Sequence, residues 1–296
     1  NFNNKIWNAF RLVQGWETAD IEQPEANKIA IKWFDAKLKE VDAEMEEQFK
    51  SYRISEALMT VYRLFWDEFS SWYLEMIKPE YGKPIDKTTY QATLKFFDTL
   101  LKMLHPFMPF ITEELWQHIY DRKDGESIMR DELKLDVPSK EELALIESIE
   151  QVKAIVSGVR TVRNQKNIAP KVELELDVID QNNYEAYNSV IIKMANLKAI
   201  EVVTEKRGDA SGFMVGTDSF AVPVGDLIDV AAEIEKQEKE LKHLEGFLIG
   251  IKKKLSNEKF VANAPEAVIE RERKKQSDSE EKIAALKASL EELRKK

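Results

Sequence analysis

Residues 54–77 read ISEALMTVYRLFWDEFSSWYLEMI, and Ile54, Leu58, Val61, Phe65, Phe69, Trp72 and Met76 recur at steps of three and four. Large side chains at that spacing line one face of a helix. One helix can bury such a stripe only against several neighbours, so the segment predicts a helical bundle. Toward the N-terminus, residues 25–50 form a charged helix with Ile29, Trp33, Val41 and Met45 inward. Residues 3–15 put Ile6, Phe10 and Val13 on one face and Asn4, Asn8 and Arg11 on another, a hydrogen-bonding stripe at i, i+4, i+7. Toward the C-terminus, Pro79, Gly82 and Pro84 mark a loop, and a helix follows from about Thr88 to Leu104. That helix stops at His105-Pro106-Phe107-Met108-Pro109, because proline lacks an amide donor and restricts the residue before it. Thr112 is the expected N-cap of the next helix, with Glu113 and Glu114 in its first turn. Trp7, Trp66, Trp72 and Trp116 all fall on apolar stripes and are expected in the core.

Beyond a polar connection at 121–138, Ser139 is the expected N-cap of a helix carrying Leu143, Ile146, Ile149, Val152, Ile155, Val156 and Val159. The period then changes to two at Val172, Leu174, Leu176 and Val178, which is a half-buried strand. A helix near 184–196, a strand near 199–204 and a hairpin turning at Gly216 complete a small α+β unit. The last segment is heptad-like: Leu227, Val230, Ile234, Gln237, Leu241, Leu244, Leu248, Ile251 and Leu255 occupy successive a and d positions. Residues 256–265 interrupt it, and a second helix carries Val268, Ile269, Ile283, Leu286, Leu290 and Leu293, with a polar middle from Glu272 to Ser279. The short interruption predicts an antiparallel hairpin. The expected fold is mainly α with a small α+β unit. It comprises a helical bundle at 1–138, a mixed α+β domain at 139–226 and an antiparallel two-helix coiled coil at 227–296.

A chain of 296 residues, 43% of them hydrophobic, is long enough for two or three globular domains. It has no run of about 18 apolar residues, no signal-peptide pattern and no cysteine, so no membrane partner and a cytoplasmic, reducing compartment are expected. Opening on Asn1 inside a helix, it is expected to be part of something longer. The net charge of −10 is unevenly spread: residues 227–296 hold 16 Lys/Arg against 15 Asp/Glu, and residues 1–226 hold 28 against 39. The body carries the acidity. The C-terminal arm is near neutral, with basic runs that a polyanion could meet.

Three runs together resemble a known family. Asn3-Asn4-Lys5-Ile6-Trp7-Asn8-Ala9 is similar to the opening helix of the anticodon-binding domain in valyl, isoleucyl and related class I aminoacyl-tRNA synthetases. Leu104 to Trp116, LHPFMPFITEELW, resembles a helix junction of that domain, supported by Phe65 to Phe69 and Trp72 to Glu75. The run Leu227 to Glu233, with Lys254-Leu255-Ser256-Asn257-Glu258-Lys259-Phe260-Val261-Ala262-Asn263-Ala264-Pro265, is similar to the C-terminal coiled-coil arm of the valyl family. Val159-Arg160, Arg163 and Asn167 to Pro170 resemble its linker. The His-Ile-Gly-His-like and Lys-Met-Ser-Lys-Ser-like motifs of the family's catalytic domain do not occur in this sequence.

The resemblance implies a parent that joins valine to tRNA(Val) with ATP and magnesium, while this segment carries no catalytic residue, metal site or cofactor. Its implied partners are tRNA(Val) and the catalytic and editing domains of the same polypeptide, in a monomer. Asn4, Lys5, Asn8 and Arg11 are the anticodon-contact candidates, joined by Arg160, Arg163 and Lys166. The dipole at a helix end also favours those last three cations, so capping and RNA contact both fit. Lys252, Lys253, Lys254 and Lys259, opposite Arg271, Arg273, Lys274 and Lys275 in a hairpin, are the candidates for the tRNA elbow. Two other readings are an isoleucyl-type anticodon domain and a coiled-coil interaction protein without RNA. The long basic hairpin counts against both.

Overall fold

The computed structural model describes residues 1–208, 210–225, 230–256 and 266–293. It is mainly helical with one small four-stranded sheet. Two compact units are present, 1–161 with 170–223, and 162–169 with 224–296.

In the first unit, α1 (Phe2–Gln14) buries Ile6, Ala9, Phe10 and Val13, and α2 (Glu25–Lys50) buries Ile29, Trp33, Val41 and Met45. The decisive stretch forms one continuous helical run of three parts. These are α3 (Ile54–Arg63), a π-helical stretch Leu64–Tyr73, and α4 (Leu74–Ile77). In the π stretch a donor reaches five residues back: the Leu74 amide donates to the Phe69 carbonyl, and the Ser71 hydroxyl to Trp66 O at 2.9 Å. The wider turn rotates later residues relative to a uniform 3.6-residue period. Tyr73 therefore takes the buried place expected for Trp72, which is half-buried. Ile54, at the start of the run, is also exposed rather than inward. Phe34, Phe69, Tyr73, Phe96 and Phe97 form the aromatic core, with ring centroids 4.9 Å apart for Phe34–Tyr73 and 5.5 Å for Phe69–Phe97.

Helix α5 (Lys87–Leu104) is capped by Asp86, whose carboxylate accepts from the Thr89 amide at 2.8 Å. Asn27 donates to Asp86 and Thr89, Thr93 donates back to the Thr89 carbonyl, and the Tyr73 hydroxyl meets Thr93 at 2.8 Å. This polar chain pins α5 to its neighbours, with Asn27 Oδ1 left without a partner among the described residues. Helix α6 (Pro109–Ile119) has its N-cap at Met108 and begins four residues earlier than an N-cap at Thr112 would allow. Pro109 takes the first position, where its missing amide costs nothing. Thr112 is instead buried within the helix, donating to Met108 O at 2.8 Å and meeting His105 Nδ1 at 2.7 Å, so Glu113 and Glu114 lie past the first turn.

Helix α7 (Lys140–Gln165) starts with a capping box. Ser139 Oγ accepts from the Glu142 amide at 3.2 Å, and Glu142 accepts from the Ser139 amide at 2.7 Å. The short pair β1 (Thr18–Ala19) and β2 (Ile85–Asp86) is parallel. The main sheet contains β3 (Leu174–Ile179), β4 (Leu197–Val203), β5 (Ala210–Val215) and β6 (Asp218–Pro223), in the order β4-β3-β6-β5. Strands β3 and β4 are parallel, crossed over by α8 (Asn188–Ala195), and β5 and β6 form the antiparallel hairpin turning at Gly216, φ 58°. Helix α8 ends at Asn196 in the left-handed region, φ 52°, with its amide side chain donating to Pro170 O at 3.0 Å. Phe213 lies flat on Phe220 at 5.4 Å and leaves no room over Gly158 of α7, where an added Cβ would sit 2.3 Å from the Phe213 ring.

In the second unit, α9 (Val230–Leu255) and α10 (Glu266–Leu293) pack together. Glu245 pairs with Lys287 at 2.9 Å, Lys252 with Glu280 at 2.9 Å and Lys254 with Glu272 at 3.7 Å. Rising numbers on one helix meet falling numbers on the other, so the two run antiparallel. Leu241, Leu244, Leu248, Ile251 and Leu255 are buried or half-buried, as are Glu272, Gln276, Ser279, Ile283, Leu286 and Leu290. Both sets keep three- and four-residue steps. The polar middle of the second helix thus lies in the seam itself, with Ser279 Oγ donating to Lys275 O at 2.7 Å. Leu227 and the run 257–265, with Lys259, lie outside the described residues, as do the side chains of Val230, Ile234, Gln237, Val268 and Leu293. Among the described residues no helix is long and apolar enough to cross a membrane, and no group of three or more His, Asp or Glu could hold a metal ion.

Candidate nucleic-acid interface

On α1, burial of Ile6, Phe10 and Val13 turns the opposite face to solvent. Asn4, Asn8 and Arg11 are exposed on it. Lys5 is half-buried, with its ammonium 5.0 Å from the centre of the Trp66 ring. Trp7 was expected in the core but is 40% exposed, beside Asn4, Asn8 and Arg11. The reason is its register: it follows Ile6, which is fully buried, by one step of 100° around the helix, and its ring reaches only the edge of Phe10, 6.3 Å between centroids. Leu12 is exposed as well. The face therefore combines amide donors and acceptors, a guanidinium and an indole. Unstacked bases are recognised by that combination, hydrogen bonds to their edges and stacking on their faces. Sequence periodicity missed Trp7. Its place one residue after a core isoleucine and between Asn4 and Asn8 was the available signal.

The other tryptophans divide similarly. Trp116 is buried as expected, whereas Trp66 and Trp72 are half-buried under cations. Arg160 lies 5.5 Å from the centre of the Trp72 ring and donates to Met194 O at 2.9 Å. Lys153 of α7 is buried between Trp33, 4.7 Å from the ring centre, and the carboxylates of Glu68 and Glu150. Arg163 is 6% exposed, donates to Ala169 O at 2.9 Å, and is held below the ordinary guanidinium value by that burial. Its bond closes the C-terminal end of α7, where orphan carbonyls and the dipole favour a cation. Lys166 follows that end, half-buried, its amide bonded to Val162 O at 2.9 Å. Arg160 and Arg163 thus each commit a guanidinium N–H to a backbone carbonyl, while Lys166 contributes only its amide.

The arm brings its two basic runs to one end. Lys252, Lys253 and Lys254 occupy the last turn of α9, and the Lys254–Glu272 pair puts them beside Arg271, Arg273, Lys274 and Lys275 of α10. All seven are exposed. Part of this charge is neutralised: Glu272 lies between Lys275, at 2.7 Å, and Lys254, and Glu280 pairs with Lys252. The hydrogen bond from Lys275, with Lys254 beside it, holds the Glu272 carboxyl below the usual carboxylate range, and Lys252 does the same for Glu280. Lys253, Arg271, Arg273 and Lys274 have no ion-pair partner among the described residues. They are the cations most directly available to phosphates.

A family model described as the anticodon-binding domain of tRNA ligase matches residues 31–179, and one described as the valyl tRNA synthetase tRNA binding arm matches residues 229–294. Valine–tRNA ligase of Phocaeicola vulgatus is 58% identical over 295 residues, 100% of this chain and 34% of that protein. The Bacteroides thetaiotaomicron enzyme is 56% identical over 298 residues, again 100% of this chain and 34% of the relative. The enzyme of Christiangramia forsetii is 45% identical over 294 residues, 99% of this chain and 33% of the relative. The chain spans about a third of the length of the curated relatives it matches. It belongs to the family of anticodon-binding domains of tRNA ligases, in the valyl branch that carries the tRNA-binding arm.

Proposed function

We propose that this chain is the tRNA-binding portion of a valine–tRNA ligase. Residues 1–138 and 139–226 hold the anticodon stem-loop, and the arm at 227–296 is an antiparallel coiled coil that braces the tRNA elbow. The observation that carries this reading is the pairing, on one chain, of a helix face bearing Asn4, Trp7, Asn8 and Arg11 with a hairpin end bearing seven cations. The first suits splayed bases, the second phosphates. Binding energy from such remote contacts would position the acceptor end of tRNA(Val) at a catalytic site elsewhere in the polypeptide. ATP and magnesium would act at that site, with this segment supplying neither ligands nor catalytic groups, in a monomeric, cytoplasmic enzyme.

The test is fluorescence anisotropy of this chain with tRNA(Val), tRNA(Ile) and an anticodon-swapped tRNA(Val), each titrated with salt. The expected result is preference for tRNA(Val), lost on the anticodon swap, with affinity falling steeply as salt rises. Equal binding to all three would overturn anticodon recognition, and no binding to any would overturn the RNA-binding role of this segment.

A further inference from the structure

Helix α8 packs on α2 and α4 and leaves a cleft of ≈ 560 Å³ beside them. Its walls are mostly apolar: Ile21 precedes α2, Ile77 ends α4, Pro84 and Ile85 close the loop that follows, and Leu197 opens β4. The volume falls within the roughly 300–1,000 Å³ usual for small-ligand clefts. Lys193 of α8 lines this cleft and remains exposed to reagents from solution. Among the described residues, no carboxylate pairs with its ammonium. Apolar walls that keep water from an ammonium without offering a counter-charge favour the neutral amine. Burial accordingly lowers the Lys193 pKa below the ordinary lysine value, against the opposing pull of Glu75 and Glu80. Lys39 is arranged the opposite way, its ammonium held charged by hydrogen bonds to Asp35 and Glu142.

We infer that Lys193 is an acylation site, its Nζ taking the acyl group of a small acyl phosphate that enters the cleft. In the step, the lone pair of the neutral amine attacks the carbonyl carbon and forms the new C–N bond. The bond from that carbon to the bridging oxygen breaks, phosphate leaves with the electron pair, and the surplus proton on nitrogen passes to water. A desolvated lysine is the form of this side chain that acts as a nucleophile. Lys83 lines the same cleft without an ion-pair partner among the described residues, and supplies positive charge for the phosphate, with Glu80 also on the lining. The amide product has no charge for the walls to desolvate, and its acyl group extends the apolar lining. A purely apolar occupant would leave Lys193 as desolvated as before.

The experiment incubates the whole chain with acetyl phosphate at about pH 8 and follows each lysine by peptide mass spectrometry over time. Lys193 is expected to acetylate about fivefold faster than Lys253, an exposed lysine without a carboxylate partner among the described residues, while Lys39 lags behind both. A Lys193 rate at or below that of Lys253 would overturn the assignment. Ile21→Asp places a carboxylate on the cleft wall at an exposed position, so the fold should hold by circular dichroism and Lys193 should slow to the Lys253 rate. No slowing in that variant would show that the cleft does not activate the amine, and would also overturn it. Lys83→Gln should slow Lys193 toward acetyl phosphate but not toward the uncharged N-hydroxysuccinimide ester of acetate. Equal effects on the two donors would overturn the acyl phosphate as the donor class.

Discussion

At the scale of single residues, the side chains that matter most here are those whose partners are far away in sequence. Lys153 sits in a helix that reads as amphipathic, and a lysine there reads as solvated. Its burial depends on Glu68, 85 residues away, and on the Trp33 ring. Nothing local announces that. Gly158 is a second case, a glycine in mid-helix whose reason is the Phe213 ring on the hairpin. Replacing Gly158 by Ala would gain helix propensity of about 0.5–1 kcal/mol, but the new methyl would meet the ring well inside contact distance. Overpacking of that kind costs about 1–3 kcal/mol, so the expected outcome is a net loss, read as a lower urea midpoint. With Phe213→Leu already in place, the same Gly158→Ala change should become neutral or stabilising. An equal loss in both backgrounds would show that the ring is not the obstacle.

At the scale of elements, the helices were legible because burial follows periodicity. Ser139 forms the expected N-cap, which Glu142 completes as a capping box, Gly216 forms the expected turn, and α5 ends before His105 as two prolines require. The failures have physical causes. A π stretch changes the residue count per turn, and steps of three and four fit Trp72 and Tyr73 equally well, so spacing alone could not choose between them. The start of α6 turned on whether Pro109 or Thr112 took its first positions, and side-chain capping lost to proline's preset backbone. In the arm, polar Glu272 and Ser279 fall in the seam, which periodicity could flag but not explain. Their neighbours make a pH prediction. Glu272 and Glu280 have carboxyl pKa values lowered by their lysines, so the stabilisation they give is complete above the ordinary carboxylate value, near ~4.3, and is lost as pH falls through the lowered folded values. Hydrogen-exchange protection of α9 and α10, corrected for intrinsic rates, should therefore decline on acidification below about pH 4.5. Protection that persists unchanged to pH 3 would mean that these pairs contribute nothing to the arm.

At the scale of the whole molecule, the sequence carried the mainly helical class and the basic runs of the hairpin, because both are written in local pattern. It carried the α1 face only in part. Asn4, Asn8 and Arg11 follow from spacing, but spacing also puts Trp7 on an apolar stripe, where the structure exposes it. The net charge of −10 likewise hides the positive end of the arm. Substituting Lys252, Lys253 and Lys254 together by Gln should weaken tRNA binding at least tenfold at low salt while leaving the circular dichroism unchanged, and full affinity in that variant would exclude the arm end from the interface. Gln is the cleaner choice, since Glu at 252 or 254 would face Glu280 or Glu272 and strain the hairpin itself.

Two of those three lysines are clasps of the arm. When Lys252 or Lys254 leaves its carboxylate for a phosphate, the RNA releases a counterion, but the abandoned Glu280 or Glu272 recruits one from solution. The ion exchange is offset in part for each such lysine. Of the three, Lys253, without a carboxylate partner among the described residues, should register in full, at about 0.9 in the logarithmic slope against salt if it meets a duplex. An ionic-strength titration would therefore undercount the contacts of Lys252 and Lys254, while Lys253, Arg271, Arg273 and Lys274 keep the overall salt dependence steep.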